Sequence, residues 1–121
     1  MHNSWQRVLL AMAGVVGALG VAAAAASSHG DSRNLGAVAT ICLAHGPALL
    51  AVALFGGRRL LLGAGLVLAL GTVVFVADLA MREYAGQALF TGAAPIGGAL
   101  MMLGWLGFVV VGALGKLLKI S

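Results

Sequence analysis

The sequence predicts an all-α integral membrane protein, with four transmembrane helices in an antiparallel up-down bundle, and three observations predict it. Hydrophobic residues fill 62% of the 121 positions and charged residues 8%, where a soluble domain carries roughly a quarter charged. The mean hydropathy is +1.10. Four apolar stretches each reach the roughly 20 residues that a helix needs to cross a bilayer, and short polar runs separate them. They read as one transmembrane domain, 1–121, with nothing left over for a soluble one.

The first helix is expected over about 5–26, with Trp5 and Arg7 suited to the membrane interface at its start. A basic residue, an apolar run and an Ala-rich end also fit a cleaved signal peptide. The apolar run of about 19 residues from Val8 is long for one, so a retained helix is expected. The polar run from Ser27 to Asn34 closes it. The second helix follows over about 35–55, and Gly56, Gly57, Arg58 and Arg59 read as a tight turn whose arginines reach headgroups. The third spans about 60–81 and ends in the polar link from Arg82 to Gln87. The fourth is expected over about 95–114, because Pro95 suits a first helical turn, where its missing N–H costs nothing. Residues 88–94 read as an interfacial turn or a short helix.

Short loops make successive helices antiparallel neighbours. Arg7, Arg58, Arg59, Lys116 and Lys119 then share one side, against Arg33 and Arg82 on the other. The excess of basic residues belongs in the cytoplasm, so both termini and the Arg58–Arg59 turn are expected inside. The same scatter of basic residues along the chain excludes a nucleic-acid face, despite a formal charge of +4. A lone cysteine, Cys42, excludes an internal disulfide and a two-cysteine metal knuckle, and it reads as a small hydrophobe.

The chain holds 19 glycines, and in lipid their use is close approach between helices. Gly14, Gly17 and Gly20 mark such a face on the first helix. On the fourth, Gly97, Gly98, Gly104 and Gly112 do so beside Trp105. These faces suit packing within the bundle, a dimer contact, or docking to a larger complex.

Few polar groups lie inside the apolar stretches. Asp78 is the costliest, and Arg82, four residues on, shares its helix face and suits an ion pair. His29 is expected at the same outer level, with Asp31, Arg33 and Glu83 near, so a polar cluster of His29, Asp78 and Arg82 is the best candidate for ion, proton or headgroup contact. His45 falls at the middle of the second helix. Its expected partners are Thr72, at matching depth, or the carbonyl of Leu43 freed by Pro47. The His45-Gly46-Pro47 run widens the space around the ring, which keeps haem or pigment binding at His45 in view. No serine or cysteine with a partner base stands at useful spacing, and scattered acids with single histidines are no metal signature. No catalytic residue, metal or cofactor is therefore assigned.

Leu68-Ala69-Leu70-Gly71-Thr72-Val73-Val74-Phe75 and Ala94-Pro95-Ile96-Gly97-Gly98, followed by Gly104-Trp105, resemble the YgdD-like family of small bacterial inner-membrane proteins, catalogued as a domain of unknown function (DUF 423). Ser27-Ser28-His29-Gly30 echoes the family's Gly-Ala-His-Gly-like run, and His45 matches its second-helix histidine. The chain departs at Phe75-Val76-Ala77-Asp78-Leu79-Ala80, where the family reads Phe-Ser-Gly-Ser-Leu-Tyr, so a site built on those residues is altered here. The resemblance implies four membrane helices in a bacterial inner membrane and no established catalytic activity. The expectation is a non-enzymatic protein among membrane lipids that self-associates or serves a larger complex. The alternatives are a small transporter, channel or lipid-binding protein using His45, Thr72 and the Asp78 cluster, or haem or pigment binding at His45.

Overall fold

A computed structural model describes residues 4–55 and 58–114. The Gly56–Gly57 turn and the region of Lys116 and Lys119, both read above from sequence, lie outside the described residues. The described residues form four helices and no strand: α1 (Ser4–His29), α2 (Arg33–Phe55), α3 (Arg59–Tyr84) and α4 (Ala93–Ala113). Each is long and apolar enough to span a membrane. At 1.5 Å per residue the shortest, of 21 residues, is about 31 Å long, which matches a hydrocarbon core of about 30 Å.

The helices run further than expected at the polar junctions, and the hydrogen bonds give the reason. Ser27 and Ser28 donate their hydroxyls to the carbonyls of Ala24 and Ala25 (3.3 and 2.8 Å), so both continue α1 to His29. Only residues 30–32 then separate α1 from α2. Ser32 starts α2 as its N-cap: its hydroxyl accepts the Leu35 N–H at 3.1 Å, and its carbonyl accepts the Gly36 N–H.

Residues 85–92 form a turn rather than a helix. Gly86 and Gly92 take positive φ, 73° and 85°, one just past the α3 cap Ala85 and one at the N-cap of α4. Only glycine enters that region without strain. Helix α4 begins at Ala93, with Gly92 accepting the Ile96 N–H, and Pro95 falls in the first turn, where N–H groups have no helical partner.

Helix α1 packs on α2 and α3 on α4, while α2 against α3 joins the two pairs. Contact between α1 and α3 is slight, and no Cα of α4 comes within 8 Å of one in α1 or α2 among the described residues. The buried positions on α1 are Gln6, Leu9, Ala13, Val16, Gly20 and Ala23, alternately three and four residues apart. That spacing is the seam of a left-handed helix pair. On α2, Val38, Cys42, His45, Leu49 and Val52 repeat the same pattern.

Glycine decides where the backbones meet. A Cβ added to Gly46 would lie 3.2 Å from the Gly17 nitrogen and 3.5 Å from the Ala13 carbonyl oxygen, so α1 and α2 touch main chain to main chain there. The α3–α4 seam is tighter still. A Cβ on Gly71 would lie 2.6 Å from the Met101 nitrogen, and one on Gly97 would lie 2.7 Å from the Phe75 nitrogen. Gly104 fits against the backbone of Leu68 in the same way.

Candidate functional site

His45 lies at mid-helix on α2, buried at 6% exposure, with both ring nitrogens engaged. Nδ1 is 2.8 Å from the carbonyl oxygen of Ile41, one turn back, and Trp105 on α4 donates its indole N–H to Nε2 at 3.0 Å. A carbonyl only accepts and an indole N–H only donates, so the proton belongs on Nδ1 and the lone pair on Nε2. Trp105 also meets the imidazole edge-on at 5.6 Å between centroids and Phe108 at 5.2 Å. This bond crosses a gap, because the backbones of α2 and α4 stay apart. Below it lies an apolar groove of about 400 Å³, lined by Ala48, Val52, Phe55 and Phe108 among others.

The partners expected for His45 are not the ones used. Thr72 is buried, but it donates its hydroxyl to its own helix at the Leu68 carbonyl (2.8 Å). The ring takes the Ile41 carbonyl rather than that of Leu43. A metal or haem iron bound at Nε2 would have to displace Trp105, and one at Nδ1 the Ile41 carbonyl.

Asp78 is fully buried near the end of α3. Its Oδ2 accepts from Arg82 Nε at 2.8 Å, and its Oδ1 accepts the Leu89 N–H at 2.9 Å. The carboxylate thus closes the link between α3 and α4 onto the end of α3, satisfying a backbone donor that the turn would otherwise leave without a partner. His29 lies outside this network. It is exposed in the last turn of α1 and makes none of the described hydrogen bonds or ion pairs. Glu83 forms a second tie at the same end: Ser32 donates to its Oε1 at 2.6 Å, and Asn34 approaches the same oxygen at 3.4 Å.

Of the glycines singled out from the sequence, Gly20, Gly97 and Gly104 sit against a neighbouring helix, and Gly17 receives Gly46. Gly14, Gly98 and Gly112 have nothing within 4 Å of an added Cβ and face open space. Gly107, on the same small-residue face of the fourth helix, sits against Ala64. Sequence reasoning missed Gly46, Gly65 and Gly71 as packing positions, which are also close-packed. It also passed over Gln6, whose side-chain amide donates to the Ala53 carbonyl at 3.1 Å and joins the start of α1 to the end of α2. Gln6 heads the buried stripe that continues through Leu9 and Ala13, and that spacing was the available signal.

An apolar groove of about 730 Å³ lies between α1 and α3, where those helices barely touch. Among the described residues, no three His, Cys, Asp or Glu side chains stand close enough to hold a metal ion. No buried side-chain nitrogen or oxygen lacks a partner there.

No protein-family model matches the chain, and no solved structure matches it either. The fold and its polar groups define a small all-helical chain with four helices able to span a membrane, whose buried polar side chains fasten helix to helix and link to helix.

Proposed function

We propose that this chain is a non-enzymatic, multi-pass protein of the bacterial inner membrane that acts by assembly, either with further copies of itself or as an accessory subunit of a larger membrane complex. The observation that carries the reading is the placement of α4. Among the described residues its backbone packs on α3 alone and it reaches α2 through side chains such as Trp105, and 17% of its most apolar 18 residues are buried against 44% for those of α2. Ile96, Met102, Leu103 and Val109 stand exposed on it, and Gly98 and Gly112 leave shallow places where another helix can approach.

The helices read as an antiparallel up-down bundle. Gln6 meets Ala53 and Gly20 meets Cys42, while Gly71 meets Met101 and Gly104 meets Leu68, so numbers rise along one helix as they fall along its partner. With Arg7, Arg58 and Arg59 at one end and Arg33 and Arg82 at the other, the positive-inside rule sets both termini in the cytoplasm. We further propose that the chain is a divergent member of the YgdD-like family that it resembles. Transport through the single chain, or haem or pigment binding at His45, draws less support. His45, Thr72 and Asp78 already spend their hydrogen-bonding groups inside the protein.

Extraction in mild detergent followed by native mass measurement tests the assembly reading. A dimer, a larger oligomer or a stoichiometric partner is expected, and a strict monomer with no companion protein overturns it. Reporter fusions at each terminus and within residues 30–32 test the orientation.

A further inference from the structure

We infer that the groove between α1 and α3 is a binding site for one acyl chain of a membrane phospholipid, recognised by the chain and not by the headgroup. This goes beyond assembly through α4 and rests on the same four membrane spans. The walls are apolar side chains of both helices, among them Val15 and Leu19 on α1 and Val73 and Ala77 on α3, and Cys42 of α2 also lines it. Its one buried hydroxyl, Thr72, is turned to the Leu68 carbonyl, so nothing inside asks for water.

Dimensions select the occupant. The groove runs from Ala11 to Ala26 on α1 and from Thr72 to Tyr84 on α3, about 22 and 18 Å at 1.5 Å per residue. A leaflet is about 15 Å deep, half of the roughly 30 Å hydrocarbon core. The groove therefore opens at the polar end that carries the Ser32–Glu83 tie and runs a little past mid-membrane. Its volume of about 730 Å³ is drawn out along this length, the shape of a channel for a single flexible chain laid along the two walls. Leaving the space empty would forfeit dispersion contacts along both walls, so hydrocarbon enters it.

The mouth says how the chain is chosen. Tyr84 lines it on α3, and exposed His29 ends α1 beside it, both suited to the interfacial layer. The charges at this end of the molecule are Arg33 and Arg82 against Asp31, Asp78 and Glu83, and Arg82 is paired with Asp78. No basic surplus remains to draw an anionic head.

The test is photo-crosslinking of the full chain, reconstituted in phosphatidylcholine vesicles that contain a phosphatidylcholine with a mid-chain diazirine. Crosslinked peptides are expected to come from α1 and α3 several-fold over α4, although α4 is the least buried helix. Ala77→Phe, and Ala77→Val as a milder filling, should remove that enrichment and leave crosslinks to α4 unchanged. Substituting phosphatidylglycerol for half of the lipid should not change the pattern. Crosslinks spread over all four helices by exposure, enrichment that survives both variants, or a strong preference for the phosphatidylglycerol probe would each overturn the proposal. A dimer in native mass spectra that both Ala77 variants abolish would instead assign the groove to a second copy. Failure of the chain to float with vesicles would refute the spanning reading itself, an outcome distinct from uniform crosslinking.

Discussion

Gly97 and Gly98 are neighbours in sequence, and the structure assigns opposite signs to the same substitution at each. An added Cβ at Gly97 would lie 2.7 Å from the Phe75 nitrogen, 2.9 Å from the Phe75 Cβ and 3.0 Å from the Gly71 carbonyl oxygen. Ordinary contact begins at 3.4 Å, so the main chain of α3 must retreat by about 0.7 Å. A gap of that size forfeits about a quarter to a half of the dispersion well for each atom pair along the seam. Overpacking of this kind costs about 1–3 kcal/mol. The helix-forming advantage of alanine returns about 0.5–1 kcal/mol. Gly97→Ala should therefore destabilise the chain by up to about 2.5 kcal/mol. Gly98→Ala meets nothing within 4 Å, keeps only the alanine gain, and should stabilise by about 0.5–1 kcal/mol. Reversible unfolding in mixed micelles with increasing dodecyl sulfate, followed by tryptophan fluorescence and circular dichroism, measures both. A Gly97→Ala protein as stable as Gly98→Ala would refute the close α3–α4 seam. If Gly98 also faces a second copy, its alanine variant will lower the oligomer fraction without loss of monomer stability, so the two readouts separate packing from assembly.

Three further outcomes follow from single hydrogen bonds. Trp105→Phe keeps an aromatic beside His45 but removes the donor to Nε2. Interhelical bonds of this kind in membranes average about 0.6 kcal/mol, with a ceiling near 1.7, so a loss in that range is expected, and a His45→Leu/Trp105→Phe cycle should return the coupling. Ser32→Ala removes the α2 cap and the donor to Glu83, which should cost about 1 kcal/mol, whereas Glu83→Gln retains the accepting oxygen and should cost less; the same titration ranks them. At Asp78, alanine removes both acceptors and asparagine keeps one, so amide exchange at Leu89, read by mass spectrometry, should accelerate more in Asp78→Ala than in Asp78→Asn.

The four helices were legible because apolar length is a property of composition, and each apolar stretch carries its own signal. Their ends were less so. Ser27, Ser28 and His29 look like loop residues in a list of polar side chains, but serine hydroxyls bonded one turn back let α1 run through them. The Asp78–Arg82 pair was legible from its four-residue spacing on one helix. The Leu89 amide that completes the site was not, since it comes from a turn whose path depends on glycines at 86 and 92 taking positive φ.

His45 shows why depth alone does not choose a partner. Val52 meets Gly65 where α2 packs on α3, and in the antiparallel bundle proposed above, counting back along one helix and forward along the other brings His45 level with Thr72. Depth matching selects that threonine, yet a threonine hydroxyl reaches the carbonyl four residues back without leaving its helix, and at Leu68 it does so. Trp105 starts from a lower level, next to the Gly104–Leu68 contact. Cβ atoms lean toward a helix's N-terminus, which for α4 is the end at Gly92, so a long side chain at 105 rises toward the level of His45. Its reach then bridges two helices whose backbones do not meet. The ring is thus held from α2 to α4, and the exposed helix on which assembly is proposed, packed on α3, is tied to α2 at that level by a neutral hydrogen bond. Weakening it with Trp105→Phe should therefore loosen α4 more than it loosens α1, a difference that amide exchange along the two helices can read directly.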